Sequence, residues 1–298
     1  MWMFREKLMN VEFNKKFKPR TPSPSIGIED IIVTDYVGGM SRDEIRKKYK
    51  ISDRMVVRLV RESGNSLRTA TESRRISSGL TIDCTAFNNF SEPLAQYFYG
   101  LILADGSLRG NSINFCIKNT DAKILEQFQK YLGMNYGLKF SSAFDNRTLK
   151  TYHRCTFAVS EKKIVDRLKE QGLLQAKSCK ETLPKFDWLN SRDFWRGVID
   201  GDGHIRLQET RALALVGSEE VVNGFIAFCN NFNLLQTPRK ASSKFYKNLE
   251  LFKVQLTADD AERVARFIYR EGDTALERKL VTVLNYPSKL KHLTGNQE

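Results

Sequence analysis

Two stretches of this chain, Leu94 to Gly106 and Asp193 to Gly203, are apolar runs of helical character, and each stops at Asp-Gly. Each carries two small residues four apart, Gly100 and Ala104 in the first and Gly197 and Gly201 in the second. Such a row lets helix backbones approach more closely than ordinary side chains allow, so the two runs read as helices made to pack on each other. The acids at their ends are the anomaly. A helix C-terminus is the negative end of the macrodipole, where Asp105 and Asp202 are disfavoured. In a parallel pair both carboxylates fall at one end, and two unit charges ~4 Å apart repel by roughly 4 kcal/mol at an effective dielectric near 20. A divalent cation between them removes that conflict, and Mg²⁺ prefers hard oxygen ligands of this kind. Gly106 and Gly203 are then expected as left-handed helix stops that release the chain into a strand.

The surrounding sequence repeats as well. Gly100 and Gly197, Asp105 and Asp202, and Gly106 and Gly203 are each separated by 97 positions, as are Phe157 and Val254, Val159 and Leu256, and Ser160 and Thr257. Thr120-Asp121 best matches Ser218-Glu219 at a separation of 98, one insertion away. A separation held through a whole half implies a duplicated unit. Within the first copy, Ser91 is placed to cap the motif helix, with Pro93 in its first turn. A strand follows over Ser112 to Lys118, then an amphipathic helix over Asp121 to Gly133 with Ile124, Leu125, Phe128 and Leu132 inward. Strands over Leu138 to Phe144 and Tyr152 to Val159 meet at the turn-like Asp145-Asn146-Arg147, and Glu161 to Gln171 closes the half as a helix.

The motif pair resembles the double-motif LAGLIDADG homing endonucleases, whose nine-residue signature lies over Phe98 to Gly106 and over Trp195 to Gly203. The resemblance covers about residues 91–285. It implies an α+β fold in which two pseudo-symmetric αββαββα halves form a DNA-binding saddle, with the motif helices at their interface. In that family the last Asp of each motif binds metal at the scissile phosphates, which makes Asp105 and Asp202 the expected catalytic ligands of Mg²⁺ or Mn²⁺. The second motif keeps the family's earlier acid as Asp200, where the first has Leu103. A family Lys after each half's last helix is best matched by Lys177 and Lys279, as further catalytic residues.

Alternate side chains on the saddle's lower face would reach the major groove. The candidates are Arg109, Asn114, Lys118, Lys139 and Arg154 in the first half, and Arg206, Gln208, Arg211, Lys244, Lys247 and Lys253 in the second. A one-residue slip in register turns any of them away. His204 follows the second Asp-Gly, but its counterpart is Ser107, so the duplication assigns it no role. His153 and His292 show no partner spacing.

Upstream, residues 1–26 read as a basic flexible arm and 27–64 as a small all-α, helix-turn-helix-like DNA-binding domain. Its helical patterns run Glu29 to Val37, Ser41 to Tyr49 and Ser52 to Glu62, with a Ser41/Glu44 capping box, and Arg54 and Arg58 are the side chains placed to meet DNA. Residues 65–90, rich in Ser, Thr and Arg, read as a linker; residues 91–187 and 188–298 are the two LAGLIDADG halves.

Lys and Arg total 48 against 35 acids, a formal net charge of +13 that suits a polyanionic partner. Five scattered cysteines without a Cys-x-x-Cys pair fit reduced thiols in a cytoplasmic protein, and no run approaches the ~18 apolar residues of a membrane span. The chain lacks a Cys or Ser start and a His-Asn end, so it is expected to be free-standing and not part of an intein. The reading is a monomeric, site-specific double-strand DNA endonuclease with a long, partly asymmetric target. Its alternatives are a catalytically silent DNA-binding regulator and an intron RNA maturase on the same scaffold.

Overall fold

The computed structural model describes residues 27–175, 180–208, 210–246, 249–288 and 290. Its contacts divide the chain into two units between Leu80 and Thr81. The expected arm, Lys177, Lys247 and His292 lie outside the described residues.

The first unit contains α1 (Glu29–Val37), α2 (Arg42–Tyr49), α3 (Asp53–Glu62) and α4 (Ala70–Ser77). Ser41 and Glu44 close the capping box at α2, and the Ser52 hydroxyl accepts the Met55 N–H at α3. Between them Lys50 takes a left-handed φ of 52° that reverses the chain. Ile32, Tyr36, Ile45, Ile51, Val56, Leu59 and Val60 form the core. The stretch expected as a linker departs from that reading, because a second capping box, Thr69 with Glu72, starts α4 inside it. Arg68 ties the preceding chain to the bundle: its guanidinium lies 4.1 Å from the Tyr36 ring centre and donates to the Met40 carbonyl. Ile82, Ala86, Phe87 and Phe90, further along the same stretch, belong to the core of the second unit.

The second unit opens with α5 (Pro93–Ala104), followed by β1 (Ser107–Arg109), β2 (Ser112–Lys118), α6 (Ala122–Tyr131), β3 (Leu138–Asp145), β4 (Lys150–Ser160) and α7 (Lys162–Glu170). The order then repeats as α8 (Arg192–Asp202), β5 (Gly203–Arg206), β6 (Ala212–Gly217), α9 (Glu219–Asn231), β7 (Ser242–Tyr246), β8 (Leu249–Thr257) and α10 (Ala258–Ile268). A last helix, α11 (Glu277–Leu284), has no helical counterpart among the described residues of the first half. Each half has its own four-stranded antiparallel sheet, ordered β1-β2-β4-β3 and β5-β6-β8-β7. The expected pair of αββαββα halves is therefore present. Glu92, not Ser91, is the N-cap residue of α5; the Ser91 amide is turned to Asn89 Oδ1, and Pro93 opens the helix.

The inner faces of the sheets, with Leu108, Ile113, Phe115, Phe157 and Val159 in one and Leu213, Leu215, Val254 and Leu256 in the other, are buried with the apolar faces of the helices. Helices α5 and α8 are buried nearly all round; α5 is apolar without a polar stripe, while α8 carries Asp193, Arg196 and Asp200 along one side, where Arg196 pairs with Asp193 and Asp273 and Asp200 takes two tyrosine hydroxyls. Their backbones touch. A Cβ built on Gly197 would lie 2.1 Å from the Tyr97 carbonyl oxygen, one on Gly100 would lie 2.3 Å from that of Phe194, and one on Gly201 would lie 2.3 Å from Ala104 Cβ. Because Gly197 faces Tyr97 and Leu101 while Gly201 faces Ala104 and Asp105, the helices run parallel.

The glycines after the acids do a different job from the one expected. Gly203 is extended (φ −88°, ψ 158°) and Gly106 is not left-handed either. Each lies folded against the last turn of its own helix, where a Cβ would come within 2.9 Å of the Ile102 carbonyl oxygen or 2.5 Å of that of Ile199. Close approach, not backbone sign, demands glycine at both.

Gly197→Ala should destabilise the second unit by about 3 kcal/mol, the upper end for overpacking, because the atom it would strike is backbone. Chemical denaturation measures this; a loss below about 0.5 kcal/mol would show that the helices part without cost.

Candidate active site and nucleic-acid interface

Asp105 caps the C-terminus of α5 and Asp202 is the last residue of α8; both are exposed. With the backbone of Gly201 seated on Ala104 and Asp105, the two acids emerge at the same end of the helix pair. Each is followed at once by its glycine and the first strand of its sheet. Among the described residues no cluster of three or more His, Cys, Asp or Glu side chains could hold a metal by itself. Two exposed carboxylates at the negative ends of two helices are nevertheless a donor set that fits Mg²⁺, which keeps several waters and takes one or two carboxylates together with substrate phosphate oxygens.

Behind the acids lies a buried polar cluster. Asp200 is fully buried and accepts hydrogen bonds from the hydroxyls of Tyr97 (2.7 Å) and Tyr269 (2.7 Å) and from the Leu276 amide (2.8 Å). Lys279, expected beside a phosphate, is 3% exposed, and its ammonium donates to the carbonyls of Asp200 (2.8 Å), Gly203 (2.7 Å) and Ile199. The catalytic reading of Lys279 as a phosphate neighbour is thereby corrected: all three of its N–H bonds go to the end of α8, because α11 packs its first turns there. Burial pushes the Lys279 ammonium down to about 8, opposed chiefly by the Asp200 charge. Burial likewise raises the Asp200 carboxyl, opposed by Lys279 and by its three hydrogen bonds. Burial and the Asp200 charge hold the phenols of Tyr97 and Tyr269 protonated, so that they stay donors. In the first half the corresponding position is Leu103, buried in the apolar core.

Strand register decides which basic residues share a face. Arg109 lies opposite Ser112, Lys118 opposite Arg154, Arg154 opposite Ser141, and Lys139 opposite Thr156. With alternation along each strand, Arg109, Asn114, Lys118, Lys139 and Arg154 all stand on the face turned away from the core. In the second sheet Arg206 lies opposite Ala212, Lys253 opposite Val216 and Ser242, and Lys244 opposite Leu251, again on the outward face, which His204 shares. Among the described strand residues the one acid on either outward face is Asp145, at a hairpin tip, where its carboxylate takes the Arg147 amide. Gln208 is exposed just beyond β5.

Arg211 does not belong with the other candidates. Its guanidinium donates to Asp259 (2.6 Å) and to the fully buried Glu262 (3.0 Å), joining the start of β6 to α10. Glu262 also takes Arg266 and Ser288, so Arg211 is part of an internal ion-pair network. In the first unit Arg54 and Arg58 are exposed on α3 with Arg61, on the side away from its buried Val56, Leu59 and Val60; Arg58 also lies 3.7 Å from Glu62.

No family model and no curated protein matches the chain. Among solved structures, the homing endonuclease I-WcaI bound to its DNA recognition sequence matches at 14% identity and a TM-score of 0.43, covering 73% of this chain and 95% of that one. The N-terminal LAGLIDADG domain of WhiA matches at 16% and 0.39, covering 61% and 87%. I-DmoI in complex with DNA and Ca matches at 13% and 0.37, covering 60% and 91%. These likenesses are too low to assign a family, and the architecture stands on the chain's own strand order and helix packing.

Lys118 and Arg154 sit directly across from each other, a like-charge pair that costs a free sheet stability and that a phosphate would relieve. Lys118→Ser should leave the free protein as stable or more so, by up to about 0.5 kcal/mol, while weakening DNA binding and lowering its salt slope by about 0.9. Melting curves and salt titrations test both halves of the statement; unchanged affinity would take this face out of the interface.

Proposed function

We propose that the chain is a site-specific double-strand DNA endonuclease that hydrolyses phosphodiester bonds with a divalent cation between Asp105 and Asp202. One observation carries the reading: a glycine-tight parallel helix pair delivers two exposed carboxylates to one end, each at the head of a sheet whose outward face is basic and almost free of acids. The motif resemblance in the sequence supports it independently.

In this mechanism the chain's own residues chiefly bind and orient. Arg109, Lys118, Lys139 and Arg154 on one sheet and Arg206, Lys244 and Lys253 on the other neutralise backbone phosphates, and polar neighbours such as Asn114 are placed to read base edges. Asp105 and Asp202 would hold Mg²⁺ or Mn²⁺, which when bound supplies Lewis-acid stabilisation of the attacking water and of the leaving 3′ oxygen. The carboxylates' mutual repulsion, which the helix pair enforces, favours cation binding at that place. With both halves on one chain the active form is a monomer, and because the halves differ in sequence the target is partly asymmetric. The first unit adds contacts through α3, with Arg54 and Arg58 toward the DNA.

Cleavage of a DNA segment joining the two flanks of the gene's own locus, in Mg²⁺ against Ca²⁺, tests the reading. Discrete double-strand cutting in Mg²⁺ alone is the expected result; tight binding without cutting in any metal would favour a DNA-binding regulator instead. Asp105→Asn and Asp202→Asn should each lower cutting by at least about 10³-fold with affinity for DNA nearly intact. Loss of folding in those variants would make the acids structural. Arg54→Ala combined with Arg58→Ala should weaken binding and reduce the salt slope by about 1.8, as two released phosphate contacts require. An unaltered slope would remove α3 from the DNA contacts.

A further inference from the structure

The two halves depart from each other most at α11, and it lies against the acids. Its first turn is bonded in two directions. Toward the second half, the Leu276 amide donates to Asp200, and the Lys279 ammonium holds the carbonyls of Ile199, Asp200 and Gly203. Toward the first half, Glu277 pairs with Lys123 at 3.1 Å, and the Arg278 Nε donates to both carboxylate oxygens of Asp121 at 3.2 Å. Leu276 also shares a small cavity with Leu101, Asp105 and Asp121, so the same turn stands behind the first acid.

Asp202 lies between two of the carbonyls that Lys279 holds. Those carbonyls end α8, where groups without intrahelical partners need donors and where a cation complements the macrodipole. The buried ammonium thus fixes the backbone on both sides of Asp202. In the first half, Leu103 replaces Asp200 and no described helix follows α7 in the position of α11.

We infer that Lys279 is a positioning residue for Asp202, and that α11 is a keystone that sets the second-half carboxylate against the first-half one. This rests on the reading of Asp105 and Asp202 as cation ligands. Coulomb attraction and positioning predict opposite results when the lysine is removed. A positive charge near a cation site weakens it, so Lys279→Met would strengthen cation binding if the lysine acted only through its charge. If it positions Asp202, the same change weakens binding.

The test is Mn²⁺ titration of the full chain, with free ion followed by electron paramagnetic resonance, for wild type, Lys279→Met, Asp202→Asn and Arg211→Met. Lys279→Met is expected to bind Mn²⁺ about tenfold more weakly, the usual effect of losing a partner behind a ligand. Arg211→Met, which opens an ion pair remote from the acids, is expected to lose stability with Mn²⁺ affinity unchanged. Equal or tighter Mn²⁺ binding by folded Lys279→Met would overturn the positioning role, with weakened binding in Asp202→Asn still upholding the ligand reading. Binding unaffected by Asp202→Asn would overturn the ligand reading and the proposal with it. Should Lys279→Met not fold, the exposed pair Glu277→Gln with Arg278→Gln, neutral in net charge, frees α11 from the first half. A severalfold loss of Mn²⁺ affinity supports the keystone, and no change overturns it.

Discussion

The contact of the α5 and α8 backbones at Gly100, Gly197 and Gly201 is the constraint on which the second unit depends. At that separation there is no room for a single added carbon, and the helices can run only parallel, because the small residues match in the same order on both. The end at which the acids emerge follows from this. Two parallel helices of nearly equal length end together, so the residues that end them emerge at the same end, and each half then turns into its own sheet from there. The shared end of the two carboxylates is therefore set by packing that has no charge in it. Backbone packing of this kind is enthalpically strong and sterically exclusive, and it tolerates an unfavourable pair of charges that a softer interface would separate.

Around this contact the molecule places its charges by depth. Outward-facing Lys and Arg stand on strands whose inner neighbours are Ile, Phe, Leu and Val, so that their charges lie at the surface. Among the described residues, the buried charges are engaged with partners. Asp200 with two tyrosines and an amide, Lys279 with three carbonyls, Glu262 with Arg211 and Arg266, and Asp260 with Arg239 each hold one element against another. Removing one member would leave its partner unsatisfied in low dielectric, which makes such clusters determinants of geometry more than of net stability.

Features that repeat at short range were legible in the sequence. The capping box at Ser41, the first three helices of the first unit, strand β2, the matched small residues of the motif helices and the duplication all carry local periods or paired spacings that survive folding. What escaped was set by distant neighbours. Lys279 and Arg211 look like surface residues in a basic chain, and nothing nearby in sequence tells that one would be buried under α8 and the other bound to Glu262, 51 residues on. Gly106 and Gly203 suggested a local turn rule, yet the reason for glycine is the return of the chain across Ile102 and Ile199. Strands β3 and β4 run slightly past their expected ends, since their hairpin extends beyond the core and exposes both faces; even Phe140 and Phe144, in register with the core side, are each 59% exposed. Helix α4 is short and rich in Ser and Arg, so its capping box was its one signal.

On the proposed function, packing and not a ligand cage brings Asp105 and Asp202 to one end, where they would share a cation. Anomalous scattering from crystals grown with Mn²⁺ and DNA measures this most directly. A peak at coordination distance from both carboxylates is the expected result. Mn²⁺ held elsewhere, or no ordered ion near the two aspartates at saturating metal, would contradict it.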